Sequence, residues 1–270
     1  DDLIKNGWEE IYKNKDTFYK TNIAILKKKT YKDNWLIFMS KKYINCAKEC
    51  IDQNKLLIKK KLVIHNFGNV SIRFDKDHFI IKPSGVNLLK ISPADMPVIN
   101  INNGKKVMGK LKPSSDTLTH LEIYKKYEKI KSIAHTHSTY ATVWAQSGKA
   151  IPLIGTTHAD FWKNEIPLIT FIKKKNIEKN YEKYTGKLIL ENLNKRKLTP
   201  YICPGVIVSG HGPFTWGTDQ SSSVVNSEIL EFVAKTTYLS MQLKIKKKLP
   251  KYISNKHYQR KHGKKAYYGQ

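Results

Sequence analysis

Ser132-Ile-Ala-His-Thr-His-Ser138, continued through Trp144 to Gly155-Thr-Thr-His-Ala-Asp160, carries the strongest signal in the chain. Residues 132–136 are small or apolar and hold no helix cap, so they read as a buried strand. Side chains alternate faces along a strand, which puts His135 and His137 on one side and turns Thr136 to the other. Two imidazoles a strand-step apart can share one metal ion, and neutral imidazole is a common zinc ligand. Taken alone, an H-x-H pair is more often two hydrogen-bonded histidines than a metal site. The company it keeps must choose between the two.

Towards the amino terminus, residues 117–128 read as a helix with Leu118, Leu121, Ile123 and Tyr124 facing inward. The loop Lys112-Pro-Ser-Ser-Asp116 runs straight into it. Short strands are expected at 62–67, 70–74, 79–82 and 97–101, separated by Asp75-Lys-Asp77, Pro83-Ser-Gly85 and Asn103-Gly104. A helix over 42–55 places Ile44, Ala47 and Ile51 at helical spacing. Towards the carboxyl terminus follow a helix at 139–147, a strand at 166–172 and a helix at 184–194. A buried strand at 206–209 ends in Gly210-His-Gly-Pro213. A long amphipathic helix covers 221–243, with Val225, Ile229, Phe232 and Leu239 along one side. Strands and helices alternate without internal repeat, which argues a single α/β domain over 39–270. Residues 1–38 are rich in aromatics and lysine and hold no motif; they read as an appended arm or an extra helical layer.

The chain has 270 residues, enough for a large core. No apolar run is long enough to cross a bilayer and no signal-peptide pattern opens the chain, so no membrane partner is expected. Three cysteines, Cys46, Cys50 and Cys203, do not make a disulfide framework. Cys46 and Cys50 lie one helical turn apart and read as small buried thiols rather than ligands; a reducing cytoplasm fits. The formal charge of +27 raises nucleic acid as a partner. Against it, only Arg73, Arg196 and Arg260 supply the planar fork that reads phosphates and bases, and the remaining basic residues are lysines spread along the whole chain. No nucleic-acid partner is expected.

Other chemistry-bearing residues sit in loops at element ends. Asp116 is either a helix N-cap or a ligand. His211, flanked by glycines, is either a turn residue or a ring aimed inward. With His135 and His137 they form three imidazoles and a carboxylate, a set that suits zinc or a similar divalent ion. Lys82-Pro-Ser-Gly85 and Ser114-Ser115 read as an anion cradle, with Ser115 at a helix start where free N–H groups favour phosphate. The tail carries His257, Arg260, Tyr267 and Tyr268, either as a frayed basic end or as a source of a tyrosine proton donor.

Together, Gly68-Asn-Val-Ser71, Ile81-Lys-Pro-Ser-Gly-Val86, Lys112-Pro-Ser-Ser-Asp-Thr117, His135-Thr-His-Ser138, Trp144-Ala-Gln146, Gly155-Thr-Thr-His-Ala-Asp160, His211-Gly-Pro-Phe214 and Arg260-Lys-His-Gly263 with Ala266-Tyr-Tyr-Gly-Gln270 closely resemble the L-ribulose-5-phosphate 4-epimerase family. That family belongs to the class II sugar-phosphate aldolases and epimerases. The resemblance runs in order from about residue 40 to the end of the chain. It implies a single-domain class II aldolase-like fold, a central mixed, mainly antiparallel sheet flanked by helices. It further implies one zinc per subunit on Asp116, His135, His137 and His211. Asn69, Lys82, Ser84, Gly85, Ser114 and Ser115 would bind the substrate phosphate, with Thr156, Glu182, His257 and Arg260 lining the site. Asp160 and Tyr268 would be the acid/base pair. The implied assembly is a homotetramer with sites between subunits, and the implied substrate a phosphorylated pentulose.

The activity so implied is interconversion of L-ribulose 5-phosphate and D-xylulose 5-phosphate. With the carbonyl at carbon 2, the hydrogen on carbon 4 is not acidic, so the accessible route breaks and remakes the carbon 3–carbon 4 bond. The nearest rival is an aldolase like those acting on L-fuculose phosphate. Those resemble this chain in the histidines but carry Glu where Asp116 stands.

Overall fold

The computed structural model describes residues 33–88, 90–244 and 249–267, and only the backbone of residues 33–40, 175 and 176. The expected arm at 1–38 falls almost wholly outside the described residues, as does Tyr268. The chain is an eight-stranded sheet with helices on both faces. Its elements are α1 (Asp33–Lys59), β1 (Asn69–Arg73), β2 (His78–Ile81), β3 (Val98–Asn100), β4 (Lys106–Met108), α2 (Thr117–Lys126), β5 (Ser132–His135), α3 (Thr139–Gln146), α4 (Thr156–Ala159), β6 (Leu168–Ile169), α5 (Lys174–Lys195), β7 (Gly205–Val208), β8 (Gly212–Gly217), α6 (Ser222–Gln242) and α7 (Lys251–His262). The strand order is β4-β3-β2-β1-β5-β8-β7-β6, and only the β6–β7 pair is parallel. The sheet is therefore mixed and mainly antiparallel, as the resemblance implies.

Strand alternation assigns each face its helices. Val70, Ile72, Ile80, Val98 and Ala134 join Tyr43, Cys50, Ile51 and Leu57 in a core under α1. The intervening Phe79, Ile81, Ile99 and Ile133 turn the other way and pack with Leu121, Ile123 and Tyr124 of α2. Arg73, on this second face, donates from Nε to the Ile130 carbonyl at 2.9 Å and from Nη2 to that of Tyr124 at 2.7 Å. Arg196 binds Glu165 and Arg260 binds Asp160, so each of the three arginines has a partner within the chain. The cysteines are buried free thiols, and burial pushes Cys46 and Cys203 up to about 12, which fits inert packing rather than ligation. No helix among the described residues is long and apolar enough to cross a membrane.

Several local expectations need correction. Residues 62–67 form turns, not a strand: Lys61 and His65 take positive φ, and Ile64 and Phe67 are exposed. The strand at 166–172 contracts to the two residues of β6. The helix at 184–194 begins ten residues earlier, at Lys174, and is interrupted at Asn180, whose side chain accepts from Lys183 N and restarts it. β4 and β8 were not foreseen; the glycines and proline of Gly212-Pro-Phe-Thr-Trp-Gly217 signal a turn, whereas the structure uses them for close strand packing. The side of α6 bearing Val225, Phe232 and Leu239 points outward, these residues being 42%, 53% and 47% exposed. The buried side holds Ser223, Val224, Ser227, Leu230, Val233 and Ala234. Its small residues let the helix lie close on β8, where Thr215 and Ser227 hydroxyls meet at 2.6 Å.

Candidate active site

Three elements converge at one end of the sheet. β5 ends on His135, the extended residues after it carry His137, and the tight β7–β8 turn carries His211. One ring nitrogen from each of the three lies within 4.8 Å of the others. His135 Nε2 and His137 Nε2 are 3.0 Å apart, and the His135–His211 ring centroids 4.4 Å. His135 is fully buried and its Nδ1–H donates to the Pro213 carbonyl at 2.9 Å, which leaves the Nε2 lone pair for the cluster. Phe214 stacks on the same ring at 4.2 Å and fixes its plane. Burial lowers the pKa of all three imidazoles, and for His135 the two neighbouring rings lower it further. The rings are thus held neutral with lone pairs available, the form a divalent cation needs.

Asp116 stands beside this trio, not within it. It opens α2 but makes no side-chain cap bond. Instead its Oδ2 accepts from Asn69 Nδ2 at 2.7 Å, and its charge raises the pKa of both His137 and His211. Asn69 also donates to Ser114 Oγ at 3.0 Å. Lys82, buried at 3% exposure, places Nζ 2.9 Å from the Asn66 carbonyl, its pKa lowered by burial and raised by Asp116. The two loops of the expected cradle are paired: Pro83 bridges Pro113, and Ser84 N donates to the Lys112 carbonyl at 3.0 Å. Ser84, Gly85 and Ser115 are exposed on them, and Gly85 needs its positive φ of 65° to turn the loop. Asn69, Lys82, Ser114 and Asp116 are therefore gathered into one polar group.

Asp160 belongs to a second group, built by α4 and α7. It is 7% exposed, and its carboxylate accepts from Arg260 Nε at 3.0 Å, Arg260 Nη2 at 2.7 Å and His257 Nδ1 at 3.1 Å. His262 donates from Nε2 to the Asp160 carbonyl at 2.8 Å, so three side chains of α7 dock on this one residue. Thr156 lines a cleft of about 310 Å³ between α4 and α6. Glu182 presents its backbone carbonyl to Thr119 Oγ1 at 2.7 Å, which locks α5 to α2.

Two residues of the site escaped the sequence reading. Tyr181, first after the break in α5, has its hydroxyl 3.5 Å from His211 Nδ1. His120, one turn beyond Asp116, is fully buried against the floor of the site. Helical spacing from Asp116 could have pointed to His120; nothing short of the kink at Asn180 would have found Tyr181.

A donor set of neutral imidazoles with a carboxylate alongside is of the kind that could hold a divalent ion, and the sheet that carries it is of the class II aldolase type. The pattern described as the class II aldolase and adducin N-terminal domain matches residues 48–238, and the chain belongs to that family. An L-fuculose 1-phosphate aldolase superposes with a TM-score of 0.65 at 24% identity, covering 79% of this chain and 94% of that one. The L-fuculose 1-phosphate aldolase from Glaciozyma antarctica PI12 gives 0.67 at 16%, covering 84% and 86%. A sugar-phosphate aldolase from Thermotoga maritima gives 0.58 at 19%, covering 79% and 99%. At these identities the likeness speaks for the fold alone.

Proposed function

We propose that the protein is a zinc-dependent epimerase that interconverts L-ribulose 5-phosphate and D-xylulose 5-phosphate by breaking and remaking the carbon 3–carbon 4 bond. The observation that carries this reading is the state of Asp116. The shorter carboxylate is tied to Asn69 beside the trio, which leaves proton transfer to other groups. The family resemblance implies a longer Glu at this position in the rival aldolases, where it would serve as both ligand and base. His135, His137, His211 and Asp116 would hold the ion, one per subunit. When bound, the ion would supply Lewis-acid stabilisation for the negative charge that develops as the bond breaks.

The chain's own residues then divide the work. Ser84, Gly85, Ser114 and Ser115, with Asn69 and Lys82 behind them, hold the phosphate and keep the aldehyde fragment from leaving. A base takes the proton from the carbon 4 hydroxyl, the carbon 3–carbon 4 pair moves towards the carbonyl, and carbon 4 becomes an aldehyde. That aldehyde turns over its face, the pair returns to it, and an acid on the opposite side protonates its oxygen. Asp160 and Tyr268 fill these two posts. Arg260 and His257 fix the Asp160 carboxylate, and Thr156 and Glu182 complete the lining.

Asp160 and its partners come from α4 and α7, elements apart from those that carry the trio. In this reading the protein is a homotetramer in which one copy's Asp160 and Tyr268 serve a neighbour's histidines. The outward apolar stripe of α6, which adjoins the Thr156 cleft, suits such a contact. The domain proper runs over 39–270, and the reaction belongs to the cytoplasm. The second reading, a sugar-phosphate aldolase, is favoured by the named aldolases among the structural neighbours. Supplying L-ribulose 5-phosphate separates the two. Epimerisation yields D-xylulose 5-phosphate without free glycolaldehyde phosphate; accumulation of that fragment would reject the epimerase.

A further inference from the structure

We propose that Glu231 is a positioning residue for His137: its carboxylate ties the start of α3 to α6 and so sets how tightly the trio grips a cation. The inference rests on the reading of the three imidazoles as a zinc site. Among them His137 is held least by its own side chain. His135 has its bond to the Pro213 carbonyl and the Phe214 stack, and His211 has the Tyr181 hydroxyl at 3.5 Å. The ring of His137 is half-buried, and its hydrogen-bond neighbour among the described residues is His135 itself. Phe67, the ring outside the trio that meets it, is 62% exposed. The place of His137 therefore depends on its backbone, which enters α3 two residues later at Thr139.

A helix start leaves backbone N–H groups without partners, and a side-chain oxygen of the N-cap residue usually takes one. Ser138 stands at the cap of α3 and makes no such bond. Glu231 acts from another helix instead, Oε1 accepting from Tyr140 N at 2.8 Å and Oε2 from Ala141 N at 2.9 Å. In a chain of formal charge +27 this carboxylate forms no ion pair among the described residues. Lys235, one turn along α6, lies over the Tyr140 ring at 5.6 Å. The far end of α3 is held as well. Trp144 Nε1 donates to the Ala234 carbonyl of α6 at 3.0 Å, and the Ala145 carbonyl accepts from Gly210 N, beside His211, at 3.1 Å. α6 is in turn fixed to β8, where Asn226 Nδ2 donates to the Trp216 carbonyl at 2.8 Å and Ser227 meets Thr215. The same strand carries Phe214, stacked on His135. β8, α6 and α3 thus form a frame that returns to the trio, and Glu231 closes it at the end nearest His137. Partners that orient a ligand from outside change metal affinity by about 10- to 100-fold.

The test measures zinc affinity of the full chain by competition with a chromophoric chelator, alongside melting of the metal-free protein. Glu231→Asp keeps the charge but falls one methylene short of α3, and weakens zinc binding by about 10- to 100-fold. Glu231→Gln loses the charge but keeps one oxygen in reach; it gives a smaller loss and covers the case of a poorly folding Glu231→Asp. In the His137→Ala background Glu231→Asp has no further effect on the weaker zinc binding that remains. Tyr43→Phe, which gives up contacts with the Pro93 and Met96 carbonyls far from α3, lowers melting and leaves zinc affinity as it was. Full zinc affinity in Glu231→Asp would overturn the inference, as would an equal loss in both His137 backgrounds. So would a matching loss in Tyr43→Phe, which would mean that affinity merely follows stability. A parent chain that takes up no zinc would instead sink the metal reading of the site, and this inference with it.

Discussion

Asn69 and His135 face each other across the β1–β5 ladder, and Asn69 then reaches 2.7 Å to the carboxylate of Asp116. One strand register therefore couples a candidate ligand on the central strand to a carboxylate delivered by a loop more than 40 residues along from Asn69. A slip of one residue would turn both side chains to the opposite face and dissolve the site.

His135→Asn tests the trio directly. The variant loses a ring nitrogen and the bond to the Pro213 carbonyl, so stoichiometric zinc is lost and turnover falls to background. Metal analysis of the purified protein, paired with the pentulose assay, reads both. Full activity in a metal-poor variant would count against the entire site.

Gly212→Ala tests how His211 is held. A methyl group there would meet the Thr136 carbonyl at 2.6 Å, contact that backbone cannot relieve cheaply. β8 must shift from β5, moving His211 relative to its partners. We expect a loss of about 1–3 kcal/mol in denaturant unfolding together with weaker zinc binding. Unchanged zinc affinity would show that the turn tolerates displacement.

Acid should weaken the metal-free chain early. Burial lowers His120 to about 3 and His158 to about 4, from an ordinary 6.5. Both stay neutral when folded but protonate near pH 6.5 once unfolded, so the unfolded chain binds more protons below that point. Their contribution is complete above about pH 6.5 and is lost as pH falls towards 4 for His158 and 3 for His120. Denaturant midpoints measured from pH 7 to pH 4 should decline, and His158→Gln should flatten part of the slope. A level profile in the parent chain refutes this.

Tyr268→Phe separates acid/base chemistry from binding. Removing one hydroxyl leaves zinc content and melting as they were and slows epimerisation by about 10²- to 10⁴-fold. If turnover is unchanged, the tail has no part in the proton transfers.

The local signals in the chain were strong where they depend on neighbours in sequence. The helices that begin at Thr117 and Thr139, the strands around Val70 and Phe79, and the H-x-H pair follow from periods of two and 3.6 that any short window displays. Failures came where the answer lay across the sheet. Ile64 and Phe67 suggested a strand yet lie exposed where the positive φ of Lys61 and His65 turns the chain. Gly212-Pro213 suggested a loop, although glycine and proline there admit a strand pressed against Thr136.

By itself, the order of residues established the chemistry on offer: three imidazoles, a short carboxylate and a serine–glycine cradle at motif spacing, together with the family likeness they carry. Only the folded chain settled which of them meet. It brought His211 to the H-x-H pair, set Asp116 on Asn69 rather than among the imidazoles, clasped Asp160 with α7, and turned the apolar stripe of α6 outward. Periodicity says that a helix has two sides. Which side is buried depends on how closely Ser223, Ser227 and Ala234 let it approach β8, and that closeness is a property of two surfaces together.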